Sequence, residues 1–553
     1  MKEFFKKYFD KIVFFVILIL AVVLRLLFID KPTGLWYDEI VSYKQASMPN
    51  VISVILYTLK TDVHLPLYQL FLHLWSQIFS FSDLSLRLFS AICGILTCVL
   101  SYFAGKELKD NKTGIIVFSM FAINSFLIFY SQEVRMYAFL MLLAVLNILF
   151  VVRIKNNPSK KLNYLMFGLS SICIIYTYTI SFIYVFSLIF AMIMYTLRQN
   201  KEHLKLYKLP LIFVFCLPLF LFLTLNYSKY TTEINGYYCD WSSLFVLLQD
   251  LYSPVLESLV NNNAHYIGNI LVKLPLLQIL CIIIPIITGV SGLIYAIKKD
   301  KFSLIILSGS VVFLLAEIFA FKFTNFKILP RYYSLGIPVL ILLSGYGISL
   351  MKKQYRYIFF TLFIVINLAY LIISPNSAFK LDRGGYKPLA QIVNSENPTG
   401  NDFIIVWNRK EILDKYVQTD ANILSILKDF AYRSETMLEN SNKLNVLSIY
   451  DRKSFLKSYF SNDKIPYNTL LLMNYIYSRM KLDDKFIITT TKQFDIYDKE
   501  KFRKTVTADY DSISLNDLLT LKSLTDIKVI CNQIFKTSYT KDSGNFVVTV
   551  YKK

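Results

Sequence analysis

Apolar runs of about 17 to 25 residues recur through the first two thirds of this 553-residue chain, and a helix of that length crosses a ~30 Å hydrocarbon core. Inside a bilayer the backbone finds no water, so each such run has to close its hydrogen bonds within itself, as a helix. Eleven are predicted, roughly 12-29, 84-104, 113-130, 136-152, 162-179, 181-197, 209-226, 271-297, 302-321, 331-350 and 357-374. At 55% apolar and 16% aromatic residues the chain is too apolar over most of its length for a water-soluble protein.

The net charge of +21 would suit a nucleic-acid binder. Lys and Arg nevertheless fall in short clusters between apolar runs instead of on one face or arm, which membrane topology explains and nucleic acid does not. The first run follows Lys2, Lys6, Lys7 and Lys11 with no small-residue cleavage site behind it, and reads as a retained anchor with a cytoplasmic N-terminus. Every second connection is then basic, as the positive-inside rule requires. These inner connections hold Lys106, Lys109 and Lys112, then Arg153, Lys155, Lys160 and Lys161, then Arg198 to Lys208, Lys298 to Lys301, and Lys352 to Arg356. The apolar stretch 65-81, "LPLYQLFLHLWSQIFSF", would reverse that sorting if it crossed. It is therefore expected as a helix in the outer interface, with Gln69, His73 and Gln77 as its wet face.

Two domains are expected. Residues 1-375 form the membrane domain, with outer loops 30-83 and 227-270. Beyond the Gly/Pro-bearing linker "SPNSAFKLDRGGYKP", residues 376-553 read as a small extracytoplasmic α/β domain. Its strands are expected at 402-407 and 545-551 and its helices at 410-417 and 454-460. Five of the seven cysteines lie in apolar runs without metal-ligand spacing, leaving only Cys239 and Cys531 outside the membrane, so neither a disulfide framework nor a zinc site is indicated.

Chemistry-bearing residues gather on the outer face. "WYDEIVSY" sets Asp38 and Glu39 side by side after the first span. "TDVHLPLY" brings Asp62 and His64 to the start of the interfacial helix, where Pro66 needs no explanation beyond its fit to a first helical turn. "FYSQEVRMYAF" interrupts apolar sequence with Glu133 and Arg135 at a short outer hairpin. Ionisable groups so near hydrocarbon pair or line a polar cavity, and a guanidinium there suits bidentate binding of an anionic headgroup. "ILPRYYSLGIP" opens a span with Arg331 and Tyr332, which read first as commonplace interfacial anchors and only second as functional groups; Arg25 and Arg87 share that ambiguity.

In order and spacing, the acidic pair, His-x-Pro-Leu-Tyr, "LRLFSA", "SQEVRMYAF" and "PRYYSLGIP" resemble bacterial family 39 type glycosyltransferases, which are similar to protein O-mannosyltransferases and to the lipid A aminoarabinose transferase within the GT-C superfamily. The resemblance covers residues 1 to about 375 and implies a polytopic α-helical membrane protein of the GT-C fold, about 11 spans with outer interfacial helices, plus the small C-terminal α/β domain. It implies an enzyme that moves one sugar from a polyprenyl-phosphate carrier to an extracytoplasmic lipid, glycan or protein acceptor, with the membrane and no nucleic acid as partners. Asp38 matches the family's essential acid, and Arg135 and Arg331 match positions where carrier phosphate is held. The family's usual His-Pro-Pro is His64-Leu65-Pro66 here.

The chemistry agrees with those assignments. The donor's leaving group departs as an anion and needs little acid help, while the acceptor hydroxyl has to lose a proton, so one carboxylate, Asp38, as general base gives inversion. Arg135 and Arg331 would stabilise the departing phosphate. Glu39 and Glu133 would orient them or bind sugar hydroxyls, with Trp36, Tyr137 and Tyr332 offering aromatic faces. A divalent metal on carboxylates and His64 is compatible with the pattern, yet no spacing demands it. Alternatives are a multi-pass transporter or flippase of lipid-linked sugars, and a glycan polymerase or ligase using diphosphate-linked donors.

Overall fold

The computed structural model describes residues 2–62, 64–199, 201–208, 210–211, 276–324, 330–373, 377–380, 382, 385–406, 415–417, 419–425, 467–491, 515–542 and 546–553. The chain divides into two compact units, Met1–Asp30 with Val41–Leu381, and Lys31–Ile40 with Asp382–Lys553. The second unit thus takes in ten residues from the loop after the first helix, the stretch that carries Asp38 and Glu39.

The first unit is helical: α1 (Lys2–Leu26), α2 (Tyr37–Ala46, whose first turn belongs to the second unit), α3 (Val51–Thr61), α4 (Leu67–Phe79), α5 (Asp83–Leu108), α6 (Asn111–Ile123), α7 (Ser125–Ser131), α8 (Tyr137–Asn156), α9 (Lys161–Thr177), α10 (Phe182–Gln199), α11 (Leu276–Lys299), α12 (Phe302–Thr324), α13 (Ile337–Leu350) and α14 (Lys353–Ile373). Among the described residues, Asp83–Leu108, Tyr137–Asn156, Thr179–Gln199, Phe302–Phe319 and Lys353–Ile372 are long and apolar enough to cross a membrane, and α6 with α7 meets the same criterion as a pair bent by 58°, a broken span or a re-entrant loop. This is a multi-pass membrane protein. Each predicted run contains a helix except 209-226, of which only 210 and 211 are described, and the loop 227-270 lies outside the described residues.

Capping sets where helices begin. Asn50 Oδ1 accepts the Ser53 amide at 2.9 Å ahead of α3, and Asp110 Oδ1 accepts the Thr113 amide at 2.8 Å ahead of α6. The break between α6 and α7 has a similar origin. Asn124 caps α7 through the Leu127 amide at 3.0 Å, and the carbonyls this frees at the end of α6 go to a buried arginine: Arg25 Nη1 donates to Ala122 O and Nη2 to Phe121 O, both at 3.0 Å. Arg25 is 0% exposed, so its part is to satisfy a broken helix. Helices α11 and α13 touch backbone to backbone, since a Cβ on Gly347 would lie 1.7 Å from the Gly292 carbonyl oxygen.

The basic connections meet at one end of this unit. Arg153 pairs with Glu107 at 3.3 Å and Lys155 with Asp300 at 3.1 Å, and Tyr346 Oη donates to the same Asp300 carboxylate at 3.1 Å. Thr113 bonds Ser349 at 3.1 Å, while Tyr164 and Tyr207 pack edge to face at 5.0 Å. The alternation of basic loops along the sequence is therefore a physical sorting of loops.

Helix α4 has 13 residues, about 20 Å at 1.5 Å per residue, too short to cross. Its facing corrects the sequence reading. Gln69 and His73 are buried: Gln69 Nε2 donates to Gln45 Oε1 at 3.2 Å, and His73 Nδ1 reaches the Ala46 carbonyl at 2.8 Å. The exposed side instead carries Phe71, Leu74, Ile78 and Phe79, with Gln77. Beside lipid the outward face is the apolar one, and polar groups turn inward to find partners.

The second unit holds a five-stranded sheet in the order β2-β1-β3-β5-β4: β1 (Phe403–Val406), β2 (Asn422–Ser425), β3 (Lys485–Thr491), β4 (Thr537–Asp542) and β5 (Phe546–Lys552). Strand β1 runs parallel to β2 and β3, and β5 antiparallel to β3 and β4. Helices α15 (Tyr386–Ser395), α16 (Tyr467–Arg479) and α17 (Leu515–Ile534) accompany it. Phe403 and Ile405 pack with Met473, Ile476 and Ile527, whereas Ile404 and Val406 pack with Leu389 and Val393. Burial of both faces explains the uninterrupted apolar run of β1.

Both predicted strands are present within a residue or two. Of the predicted helix 410-417 only Lys415–Val417 is described, as a turn, and 454-460 lies outside the described residues. Cys531 is a free, buried thiol, and Cys239 lies outside the described residues.

Candidate active site

Two groups of residues bear on the chemistry, one in each unit. In the second unit the segment before α2 is sewn to the sheet domain. The Thr33 carbonyl accepts the Gly385 amide at 3.1 Å and the Lys387 amide at 3.2 Å, and the Leu35 amide donates to Tyr416 Oη at 2.8 Å. Asp38 then opens α2, half-buried, in a first turn where the helix dipole favours a carboxylate. The adjacent acid is otherwise employed: Glu39 is 0% exposed and its Oε2 accepts the Trp36 amide at 3.1 Å, the reach-back of a capping box.

In the first unit the sequence-predicted His64 and Arg135 come together around a residue to which the sequence reading gave no role, Asp62. Its Oδ1 accepts the His64 amide at 3.1 Å and its Oδ2 accepts Gln45 Nε2 at 3.0 Å. Arg135 Nη1 donates to Ser42 Oγ at 3.3 Å, and its Cζ lies 5.9 Å from the Tyr137 ring centroid. Ser42 and Gln45, three residues apart on one face of α2, thus receive the two charged groups. Burial raises the Asp62 carboxyl, but the His64 ring, the Arg135 guanidinium and the hydrogen bonds from Gln45 and the His64 amide together hold it below the ordinary carboxylate range. Burial is the main force on His64 and Arg135 adds to it, against the pull of Asp62, leaving the imidazole pushed down to about 4 and neutral near pH 7. Its Nδ1 has no hydrogen-bond partner among the described residues. The Asp62 signal in the sequence was the D-x-H spacing; nothing in "SYKQ" singled out Ser42 or Gln45.

The hairpin bearing Arg135 is held from behind. Gln132 Nε2 donates to Leu27 O at 2.8 Å, and the Arg135 amide turns back to Glu133 O at 2.8 Å. Glu133 is buried at 7% exposure, and Tyr137 at 2%, packed edge to face on Tyr130 at 5.1 Å. Arg331 sits in the single turn Pro330–Tyr333, with its Cζ 5.8 Å from the Tyr332 ring. A run of rings joins that turn to His64: His64 to Tyr178 at 4.9 Å, Tyr178 to Phe313 at 6.3 Å, Phe313 to Tyr333 at 6.1 Å. Arg87, at 3% exposure, donates to the Ile29 carbonyl at 3.3 Å. Among the described residues no group of three or more His, Cys, Asp or Glu is arranged to hold a metal ion.

A family model described as dolichyl-phosphate-mannose-protein mannosyltransferase matches residues 63–222, which include His64 and Arg135. ArnT from Cupriavidus metallidurans in the apo state aligns over 99% of this chain and 98% of its own, with TM-score 0.53 and 11% identity. The chain has the GT-C fold. Two further solved structures align with it, both at TM-score 0.49. One is ArnT bound to undecaprenyl phosphate, at 10% identity over 98% of this chain and 97% of that one. The other is the Archaeoglobus fulgidus oligosaccharyltransferase complexed with Zn and sulfate, at 11% identity over 96% of this chain and 72% of that one. No curated protein sequence matches.

Proposed function

We propose that this protein is a membrane glycosyltransferase that moves a single sugar from a polyprenyl-phosphate carrier to an acceptor hydroxyl outside the cell, with inversion at the anomeric carbon. The observation that carries the reading is the gathering of His64, Asp62 and Arg135 against Gln45 and Ser42 of α2, at the hairpin and helix start that the mannosyltransferase family model spans. The fold shared with ArnT, which has been crystallised with undecaprenyl phosphate, supplies a lipid carrier of the right class.

A guanidinium half-buried at a helix end has less water to compete with a phosphate than one on an open surface, and its attraction for the developing anion is correspondingly stronger. Ser42 and the Tyr137 ring fix its direction before substrate arrives. Arg331, held over Tyr332, is the second phosphate ligand. With His64 neutral, the cluster has one carboxylate and one guanidinium, and so invites a charged substrate without strong self-repulsion. Asp38 takes the acceptor proton as its oxygen attacks the anomeric carbon and the lipid phosphate leaves from the opposite face. Glu133 and Tyr332 complete the sugar contacts. The N-terminus lies in the cytoplasm and the reacting end and C-terminal domain outside, because the loops joined through Arg153, Lys155 and Asp300 are the basic ones.

The test is Asp38→Asn, assayed with undecaprenyl monophosphate and diphosphate sugars in membranes. Transfer from the monophosphate donor is expected to stop while carrier lipid still binds. Near-normal turnover removes Asp38 as base, preference for the diphosphate donor makes the enzyme a polymerase or ligase, and passage of intact donor across the membrane makes it a flippase.

A further inference from the structure

We propose that the C-terminal domain takes part in transfer by holding Asp38 in place, and that Tyr416 is the positioning residue through which it does so; this rests on Asp38 being the base.

The contacts lie within the second unit. Three attachments precede Asp38 by three to five residues. Thr33 Oγ1 donates to the Asp382 carboxylate, the Thr33 carbonyl accepts the Gly385 and Lys387 amides at 3.1 and 3.2 Å, and the Leu35 amide donates to Tyr416 Oη at 2.8 Å. Between them Gly34 adopts φ 84°, and a Cβ there would stand 2.7 Å from Tyr416 Oη, so the tyrosine closes directly over the backbone. Tyr416 has little freedom of its own. Its carbonyl accepts Asn394 Nδ2 at 3.0 Å, and its ring packs against the core of Leu389, Val393, Val417 and Ile487. Tyr386 packs against the same core; burial, followed by the nearby Tyr37 and Asp38, pushes its phenol up to about 12, so it stays uncharged beside the acid.

Attachments of this kind fix the segment leading into α2, whose first turn carries Asp38. A chain that has crossed the membrane once and not yet paired is free to wander, and displacement of a reacting group by 1 Å costs up to about 100-fold in rate. The sheet domain removes that freedom at the cost of a contact between residues 381 positions apart.

The experiment uses the full-length protein in detergent. Tyr416→Phe deletes the hydroxyl and keeps the packed ring, so the domain retains its melting temperature. Amide exchange across residues 31–40 is expected to quicken by about 10-fold, one hydrogen bond's worth. With a radiolabelled undecaprenyl-phosphate hexose as donor and membrane extract as acceptor, kcat is expected to fall between about 10- and 100-fold with donor KM unchanged. Unchanged exchange overturns the proposal, as does unchanged kcat, and a rise in donor KM with constant kcat assigns Tyr416 to binding and overturns it too. Asp38→Asn in parallel separates the two failures: turnover in that variant removes the base, whereas an inactive Asp38→Asn beside a fully active Tyr416→Phe removes only the positioning role.

Discussion

Replacing Gly34 by alanine probes the join between the 31–40 segment and the sheet domain by sterics alone. At φ 84° an alanine pays the left-handed penalty, about 1 kcal/mol or a little more. Its Cβ would meet Tyr416 Oη at 2.7 Å and Lys387 Cβ at 3.0 Å, both inside ordinary contact. The hydroxyl has to yield, because the ring behind it is packed on the core, and in yielding it loses the Leu35 amide, about another 1 kcal/mol. The stiffer unfolded chain returns roughly 0.5 kcal/mol. The net is about 1.5 kcal/mol against the docked segment, or roughly 10-fold in its opening equilibrium, at about 1.4 kcal/mol per factor of ten. Hydrogen exchange by mass spectrometry reads that directly as roughly 10-fold faster exchange across residues 31–40, with the amides of β1 and β3 unaffected. Gly34→Asn separates the two causes, since asparagine tolerates the left-handed region and keeps only the clash. An alanine variant that exchanges at the wild-type rate would refute the reasoning.

Two further outcomes follow from the first unit. Arg331→Ala is expected to raise donor KM by about 10- to 100-fold, the worth of a charge-assisted hydrogen bond, with a smaller change in kcat; an unchanged KM in steady-state assays counts against its phosphate role. His64 affects stability through pH. Its folded value, about 4, lies below the ordinary ~6.5, so its contribution is complete above pH 6.5 and is lost as pH falls from there toward 4, because the unfolded chain then binds a proton that the folded one refuses. Asp62 is also depressed, but its window opens only below about pH 4 and does not intrude. Melting temperature in detergent should therefore drop less between pH 7 and 5 in His64→Gln than in the wild type, and equal slopes would remove His64 from the account.

Several of these features were legible before any coordinates. Loop charge alone separated α4 from the spans, and its 13 residues agree. Arg135 stood out because ionisable groups in apolar sequence need a reason, and His64 because it precedes Pro66 at the start of an apolar helix. Their partners did not stand out: Ser42 and Gln45 are ordinary polar residues on a helix, and only folding shows that one meets a guanidinium and the other a carboxylate. Arg25 was ambiguous as text, and became intelligible once α6 was seen to break and leave two carbonyls behind it. The facing of α4 is not legible in its polarity, because Gln69 and His73 turn inward to protein partners while Phe71, Leu74 and Ile78 face outward. Strand β4, "TSYTKD", is exposed along its whole length and so has no apolar alternation to announce it.

What the sequence by itself determined is what depends on local composition: a membrane-crossing chain, the sorting of its basic loops, a separate α/β segment at the C-terminal end, and the residues able to carry charge chemistry. Those properties arise from transfer of each stretch between water and lipid, which acts segment by segment. Which residues fold with which was decided only in three dimensions. Gly34, Tyr416 and Gly385 are unremarkable in the text, and their meeting depends on a backbone turn, a hydroxyl and a free amide arriving together from opposite ends of the chain. Hydrogen bonds are directional and short-ranged, so they leave no periodic trace in the sequence that foretells their partners.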